Sequence, residues 1–205
     1  MAEPAYPLRF LEEHGDRAWP AQGHWTYEDY LRLPDDGRRY EVIRGVLYVS
    51  PSPTYDHQYV ITQLFRKLDR FVEDNQLGIV LTAPFDILLG TIATPVEPDF
   101  LFLRAGREPR AGDPNYRGVP DLIVEVLSPS NRRYDRRIKF EVYEEVGVPE
   151  YWLVDPMDRT VVIYVLDEKG RFTELIRGGE GETVGSREIP GFSLRVADLF
   201  PPGRK

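Results

Sequence analysis

Pro120-Asp121-Leu122-Ile123-Val124-Glu125-Val126-Leu127 is an almost continuously apolar run with one carboxylate in its middle. A short run of this kind predicts a strand covered on both faces, with packing above and below it. Glu125 inside it needs a physical reason, because an ionised side chain among Val, Ile and Leu costs several kcal/mol unless it is paired or holds a metal. A second acid, Asp99, stands in a similar setting upstream, in Val96-Glu97-Pro98-Asp99-Phe100. Two such carboxylates in consecutive candidate strands point to one site.

Downstream of Leu127, Ser128-Pro129-Ser130-Asn131 supplies stop and cap chemistry. Ile138, Val142 and Val146 then mark a helix ending at Gly147. Strands are predicted over Tyr151 to Val154, Thr160 to Leu166 and Phe172 to Ile176. Upstream, Val60, Leu64, Leu68 and Phe71 or Val72 recur every three to four residues between Asp56 and Asn75, the mark of an amphipathic helix. Ile79 to Leu81, Phe85 to Leu89 and Val96 to Leu103 follow as strands, and Arg104 to Gly118 as a loop. Nearer the N-terminus, Thr26 predicts an N-cap for a helix from Tyr27 to Leu33, and Arg39 to Ser50 two strands around the turn Arg44-Gly45. The order predicts an α/β (α+β) chain, with a mixed central sheet flanked by helices. An arm is expected over residues 1–25, one domain over 26–200 with extra C-terminal strands, and a tail over 201–205.

The chain has 205 residues, 41% of them apolar and 29% charged, as in an ordinary globular domain. No apolar run approaches the roughly 18 residues of a membrane span, and Met1-Ala2-Glu3-Pro4 lacks the pattern of a signal peptide. A cytoplasmic protein without a membrane partner is the expectation. The absence of cysteine excludes disulfides and thiolate metal sites. A net charge of −8 excludes coating of nucleic acid through bulk charge. It leaves room for a local basic face at Asn131 to Lys139, which holds five cations in nine residues and reads more simply as a solvated helix face.

The order Pro-Asp, then Glu, then Lys139 is a reason to consider a metal-dependent nuclease before any other enzyme. Phosphodiester hydrolysis needs a divalent cation, Mg²⁺ or Mn²⁺, and hence oxygen ligands. Asp99 and Glu125 on neighbouring strands about 5 Å apart would supply them. A lysine beside the attacking water would lower its pKa or neutralise the pentacovalent phosphate.

A longer pattern carries a resemblance: Arg39-Tyr40-Glu41-Val42-Ile43-Arg44-Gly45, His57, Pro98-Asp99, the run from Pro120 to Ser130, Lys139 with Tyr143, and Gly147-Val148-Pro149-Glu150-Tyr151-Trp152-Leu153-Val154-Asp155-Pro156. Over residues 26 to 200 the chain resembles the Uma family of restriction endonucleases, a bacterial branch of the PD-(D/E)XK nuclease superfamily. The superfamily places its lysine two residues after the second acid, where this chain has Leu127; the Uma branch moves it to the following helix, where this chain has Lys139. The resemblance implies a restriction-endonuclease-like fold, Mg²⁺ dependence, homodimers, and an active site of Glu41, Asp99, Glu125 and Lys139, with Glu41 as a third oxygen ligand.

Each residue has a plainer reading. Asp99 also suits a strand-end cap, Glu125 a buried ion pair, and Glu41 a hairpin surface beside Arg38, Arg39 and Arg44. Lys139 also suits a helix surface, although it is one of four lysines in an arginine-dominated chain. His57, Tyr143 and Asp121 are secondary candidates: a helix-start cap, a core tyrosine at i+4 from Lys139, and a turn cap at the strand entrance. A DNA endonuclease is the leading reading. The alternatives are a catalytically inactive module of the same fold that binds nucleic acid or protein, and a metal-dependent hydrolase of RNA or nucleotides.

Overall fold

The computed structural model describes residues 19–50, 52–128 and 134–202, with only the backbone at residues 134–136. Pro129, Ser130, Asn131, Arg132 and Arg133, which carry most of the expected cap and part of the basic stretch, lie outside the described residues.

Helix α1 (Tyr27–Tyr30) is capped by Thr26, whose hydroxyl accepts from the Asp29 N–H, while the Asp29 carboxylate accepts from the Thr26 N–H. It is shorter than the span to Leu33 that the sequence predicts. Strands β1 (Arg39–Ile43) and β2 (Val46–Ser50) form a hairpin. Its turn residues both have positive φ, 49° at Arg44 and 71° at Gly45, as a two-residue hairpin turn requires. A Cβ on Gly45 would lie 2.4 Å from the Gly23 carbonyl oxygen, so glycine there also lets the preceding segment close on the turn. The described end of the expected arm is thus packed: Trp19 stacks on Trp25 with ring centroids 5.5 Å apart, and the Gly23 N–H donates to Gly45.

Helix α2 (Tyr55–Asp74) runs over nearly the predicted span and buries Val60, Leu64, Leu68 and Val72, together with His57. Strands β3 (Gly78–Thr82), β4 (Asp86–Leu89), β5 (Ala93–Val96), β6 (Phe100–Arg104), β7 (Asn115–Arg117) and β8 (Leu122–Val126) follow. A π-helical turn, Tyr134–Lys139, then leads into α3 (Phe140–Val146), which ends at Gly147 in the left-handed conformation. Strands β9 (Glu150–Asp155), β10 (Thr160–Leu166), β11 (Phe172–Gly178), β12 (Thr183–Gly185) and β13 (Ser193–Arg195) and a 3-10 turn (Val196–Leu199) complete the described chain.

The structure departs from the expectation at Val96 to Leu103. That run is two strands in different sheets, broken at Glu97-Pro98-Asp99, because Pro98 has no N–H to give to a ladder. The expected loop from Arg104 to Gly118 also contains β7, held by parallel pairing with β4.

One sheet has the order β11-β10-β9-β8-β6-β3, a second β2-β1-β5-β4-β7, and β12 and β13 pair as a two-stranded third. Within the first, β8 and β9 are parallel, so their connection must cross over the sheet, and α3 lies in that crossover. Alternation along β8 divides the core. Leu122, Val124 and Val126 join the α2 stripe with Phe100, Phe102 and Trp152. Ile123 and Leu127 face the other way, toward Val142 and Tyr143 of α3 and Ile43, Ile87 and Val96 of the second sheet. Glu125 shares their parity and therefore sits where α3 and the first two sheets meet.

Candidate active site

The Glu97-Pro98-Asp99 crossing brings acids to the junction. Phe100 pairs with Val124, so Asp99 follows the ladder one step beyond, beside Glu125. Alternation in β1 puts Arg39 and Glu41 on one face, opposite Tyr40 and Val42, which belong to a separate cluster with Trp25 and Leu47. From the crossover, Lys139 and Tyr143 project from one helical face, four residues apart. His57 enters from the first turn of α2.

These residues bond to one another. Lys139 Nζ lies 2.8 Å from Glu125 Oε1 and 3.0 Å from Glu41 Oε1. The Tyr143 hydroxyl donates to the same Glu125 oxygen at 2.7 Å, and the Glu97 N–H donates to Glu41 Oε1 at 2.8 Å. Asp99 Oδ2 lies 3.0 Å from His57 Nε2 and accepts from the Val126 N–H at 2.9 Å, while Arg39 Nη1 donates to Oδ1 at 2.9 Å. Arg39 Nη2 donates to the Glu97 carbonyl at 2.5 Å. Glu41, His57, Glu97, Asp99, Glu125 and Lys139 are all buried. A cleft of about 460 Å³ reaches Asp99, Glu97, Arg39 and His57 from solvent, with Tyr30 and Thr82 in its wall. That volume is in the range of a small-molecule site.

Glu41, Asp99, Glu125 and Lys139 are therefore brought together, with His57 and Tyr143 bonded to two of them. Asp121 is not. Its carboxylate accepts from the Arg104 N–H and from Arg107, at the opposite end of β6 from Asp99. Glu41 is 2% exposed and bridged to Lys139, while Arg38 pairs with Asp36 and Arg44 with Glu141 and Glu145, so the hairpin-surface reading does not describe it. Two contributors escaped the sequence reading, Arg39 and Glu97. Each stands two residues before a singled-out acid, Glu41 or Asp99, and alternation was the signal that would have found them.

Among the described residues, four carboxylates (Glu41, Glu97, Asp99, Glu125) face two fixed cations (Arg39, Lys139), an acidic balance when all four are ionised. The acids respond unequally. Burial, with Asp99 and Glu41 nearby and Lys139 opposing, pushes Glu125 up to about 7. Burial, with Arg39 opposing and Glu41 and Asp86 adding to it, pushes Glu97 up to about 7. At Asp99 burial works upward too, but His57, Arg39 and Lys139 outweigh it and hold the group well below the usual carboxylate range.

The sign of the stability change follows. Groups raised from 4.5 to about 7 bind more protons folded than unfolded, so they stabilise below pH 4.5 and that stabilisation is lost as pH rises through 7. Asp99, lowered from 3.8, has the opposite effect and loses its contribution as pH falls through the acid range below that value. Urea unfolding in chelator should therefore show greatest stability near pH 4 to 5, with a decline of several kcal/mol by pH 8, on the order of 3 kcal/mol from each raised group. Glu125→Gln should flatten the decline; an unchanged slope would rule Glu125 out as its source.

A divalent cation fits this cluster by charge and by donor chemistry, since hard cations take carboxylate oxygens. Glu97 Oε2, buried without a hydrogen bond although Arg39 Nε lies 3.4 Å away, adds a further oxygen. Among the described residues no three His, Asp or Glu side chains form a ready cage. Lys139 stands between Glu41 and Glu125, and both Asp99 oxygens carry hydrogen bonds.

No helix of the described residues is long and apolar enough to cross a membrane. No curated protein matches the chain. The fold is similar to that of a solved Anabaena variabilis protein titled a "putative nuclease belonging to DUF820", with a TM-score of 0.71 at 20% identity over 85% of this chain and 97% of that one. A family model described as "Putative restriction endonuclease" matches residues 27–197, a span that takes in every residue of the cluster, and the chain therefore belongs to that family, Uma2.

Proposed function

We propose that the protein is a Mg²⁺- or Mn²⁺-dependent DNA endonuclease acting as a homodimer, with Asp99, Glu125 and Glu41 as the metal-holding residues. The observation that carries this reading is the gathering of four buried carboxylates around Arg39 and Lys139 at the foot of a solvent-connected cleft. A divalent cation bound there supplies Lewis acidity at the phosphoryl oxygen and a more acidic water. The chain's own residues do the rest. Arg39, on the cleft wall, takes phosphate oxygens through its planar fork. Lys139 offers positive charge to the phosphate as negative charge grows on it, or to the attacking water. His57 and Tyr143 fix the orientation of Asp99 and Glu125. Family membership supports nucleic acid as substrate; DNA and the dimer rest on the family resemblance.

The test is a panel of single- and double-stranded DNA and RNA, with Mg²⁺, Mn²⁺ or chelator, for wild type and Asp99→Ala. Divalent-dependent DNA cleavage by wild type, reduced at least about 10³-fold in the variant, is the expected result. If both proteins are equally inert on every substrate, the enzymatic reading fails and a binding module takes its place. Cleavage confined to RNA would move the substrate class.

A further inference from the structure

We infer that Lys139 is a built-in counter-ion that competes with a divalent cation for the Glu41 and Glu125 carboxylates, so that cation binding breaks the Lys139 bridge. The inference rests on the reading above that this cluster takes a divalent cation, and adds a control on when it does so.

The geometry leaves little room for both charges. Lys139 Nζ contacts one oxygen of each acid, at 2.8 Å and 3.0 Å, with side-chain exposures of 4% for the lysine, 2% for Glu41 and 1% for Glu125. Mg²⁺ binds oxygen at about 2.1 Å and tolerates little distortion. A cation on either of those oxygens would stand within about 5 Å of the ammonium. Burial removes the water that would screen them, so like charges at that separation repel by several kcal/mol. Two other described bonds on the same atoms come from neutral donors, Tyr143 on Glu125 Oε1 and the Glu97 N–H on Glu41 Oε1. Those do not oppose a cation; the ammonium does.

The residue type suits exchange. A lysine holds its partners through a compact ammonium on a flexible four-carbon stem, whereas an arginine fork would grip both carboxylates at once. Lys139 also stands at the end of the π-helical turn, one residue before α3. An ammonium displaced from Glu41 and Glu125 stays on the same helix face, close to the charge it would stabilise during hydrolysis. Occupancy by the cation and delivery of the lysine become one event.

Calorimetric titration of the full chain with Mn²⁺ alone tests this. Lys139→Met should bind Mn²⁺ at least about 10-fold more tightly than wild type. Lys67→Met, which removes a surface charge paired with Asp198, should leave affinity unchanged. Loss of repulsion without displacement is separated by the ¹⁵N resonances of the lysine ammonium groups of wild type. With four lysines in the sequence, the Lys139 signal can be assigned, and saturating Mg²⁺ should shift it while Lys67 and Lys169 stay in place. Equal or weaker affinity in Lys139→Met, or a Lys139 signal unmoved at saturation, overturns the inference and leaves the cation site standing. No binding by wild type or variant overturns both. Should Lys139→Met fail to fold, the wild-type resonance decides alone.

Discussion

Glu125→Leu should cost the metal-free fold about 3–5 kcal/mol, read as a lower urea midpoint at unchanged slope, and should abolish divalent-dependent hydrolysis. Leucine is close to glutamate in volume and suits the surrounding Ile123, Leu127 and Val142, so no cavity forms. The loss comes from what glutamate leaves behind: a Lys139 ammonium and a Tyr143 hydroxyl, both buried, stripped of a shared acceptor. Glu41 still faces Lys139, which keeps the cost toward the lower end of the range. Adding Lys139→Met should recover part of the loss, because a buried charge without its partner is worse than an apolar pair. A Glu125→Leu cost under about 1 kcal/mol would mean that water reaches Lys139 and that the bridge is no more than a screened surface pair.

The two residues that opened the site were legible because their cost was legible: a carboxylate in an apolar strand demands a partner wherever that strand lies. Their partners were less so. Lys139 shares no strand with Glu125, and strand parity pointed instead to Leu127, which the structure packs in the core beside Val142 and Leu153. Only the parallel pairing of β8 with β9, a contact between residues far apart in sequence, fixes the crossover that carries Lys139 over Glu125. The helix of Tyr55 to Asp74 needed no such information, since its stripe is local. The break at Glu97-Pro98-Asp99 was half legible: Pro98 marks an interruption, but apolar residues continue on both sides of it, and nothing local says that the chain changes sheets there. Asp121 was a secondary candidate through parity, with a turn cap as its plainer reading. It lies on the same face as Glu125 but four residues away, about 13 Å along the strand, where Arg104 and Arg107 satisfy it.

Arg39→Met separates phosphate binding from cation binding. Arg39 is the cation of the cluster that reaches the cleft, its side chain 25% exposed, with Nη1 on Asp99, Nη2 on the Glu97 carbonyl and Nε 3.4 Å from Glu97 Oε2. Methionine keeps much of the apolar stem and removes the fork. Asp99 retains His57 and the Val126 N–H, so its position holds. Glu97 loses the cation that pulls its carboxyl down, and its titration should move further above about 7. Hydrolysis should fall about 10²-fold, the usual cost of deleting one donor aimed at developing charge. Mn²⁺ affinity measured by calorimetry should hold or rise, because a positive charge beside the acids is gone. Arg39→Lys restores the charge without the fork and should recover only part of the rate. The split carries the argument: a residue that merely scaffolds Asp99 would, on removal, lower rate and cation affinity together, whereas one that meets the phosphate lowers the rate alone.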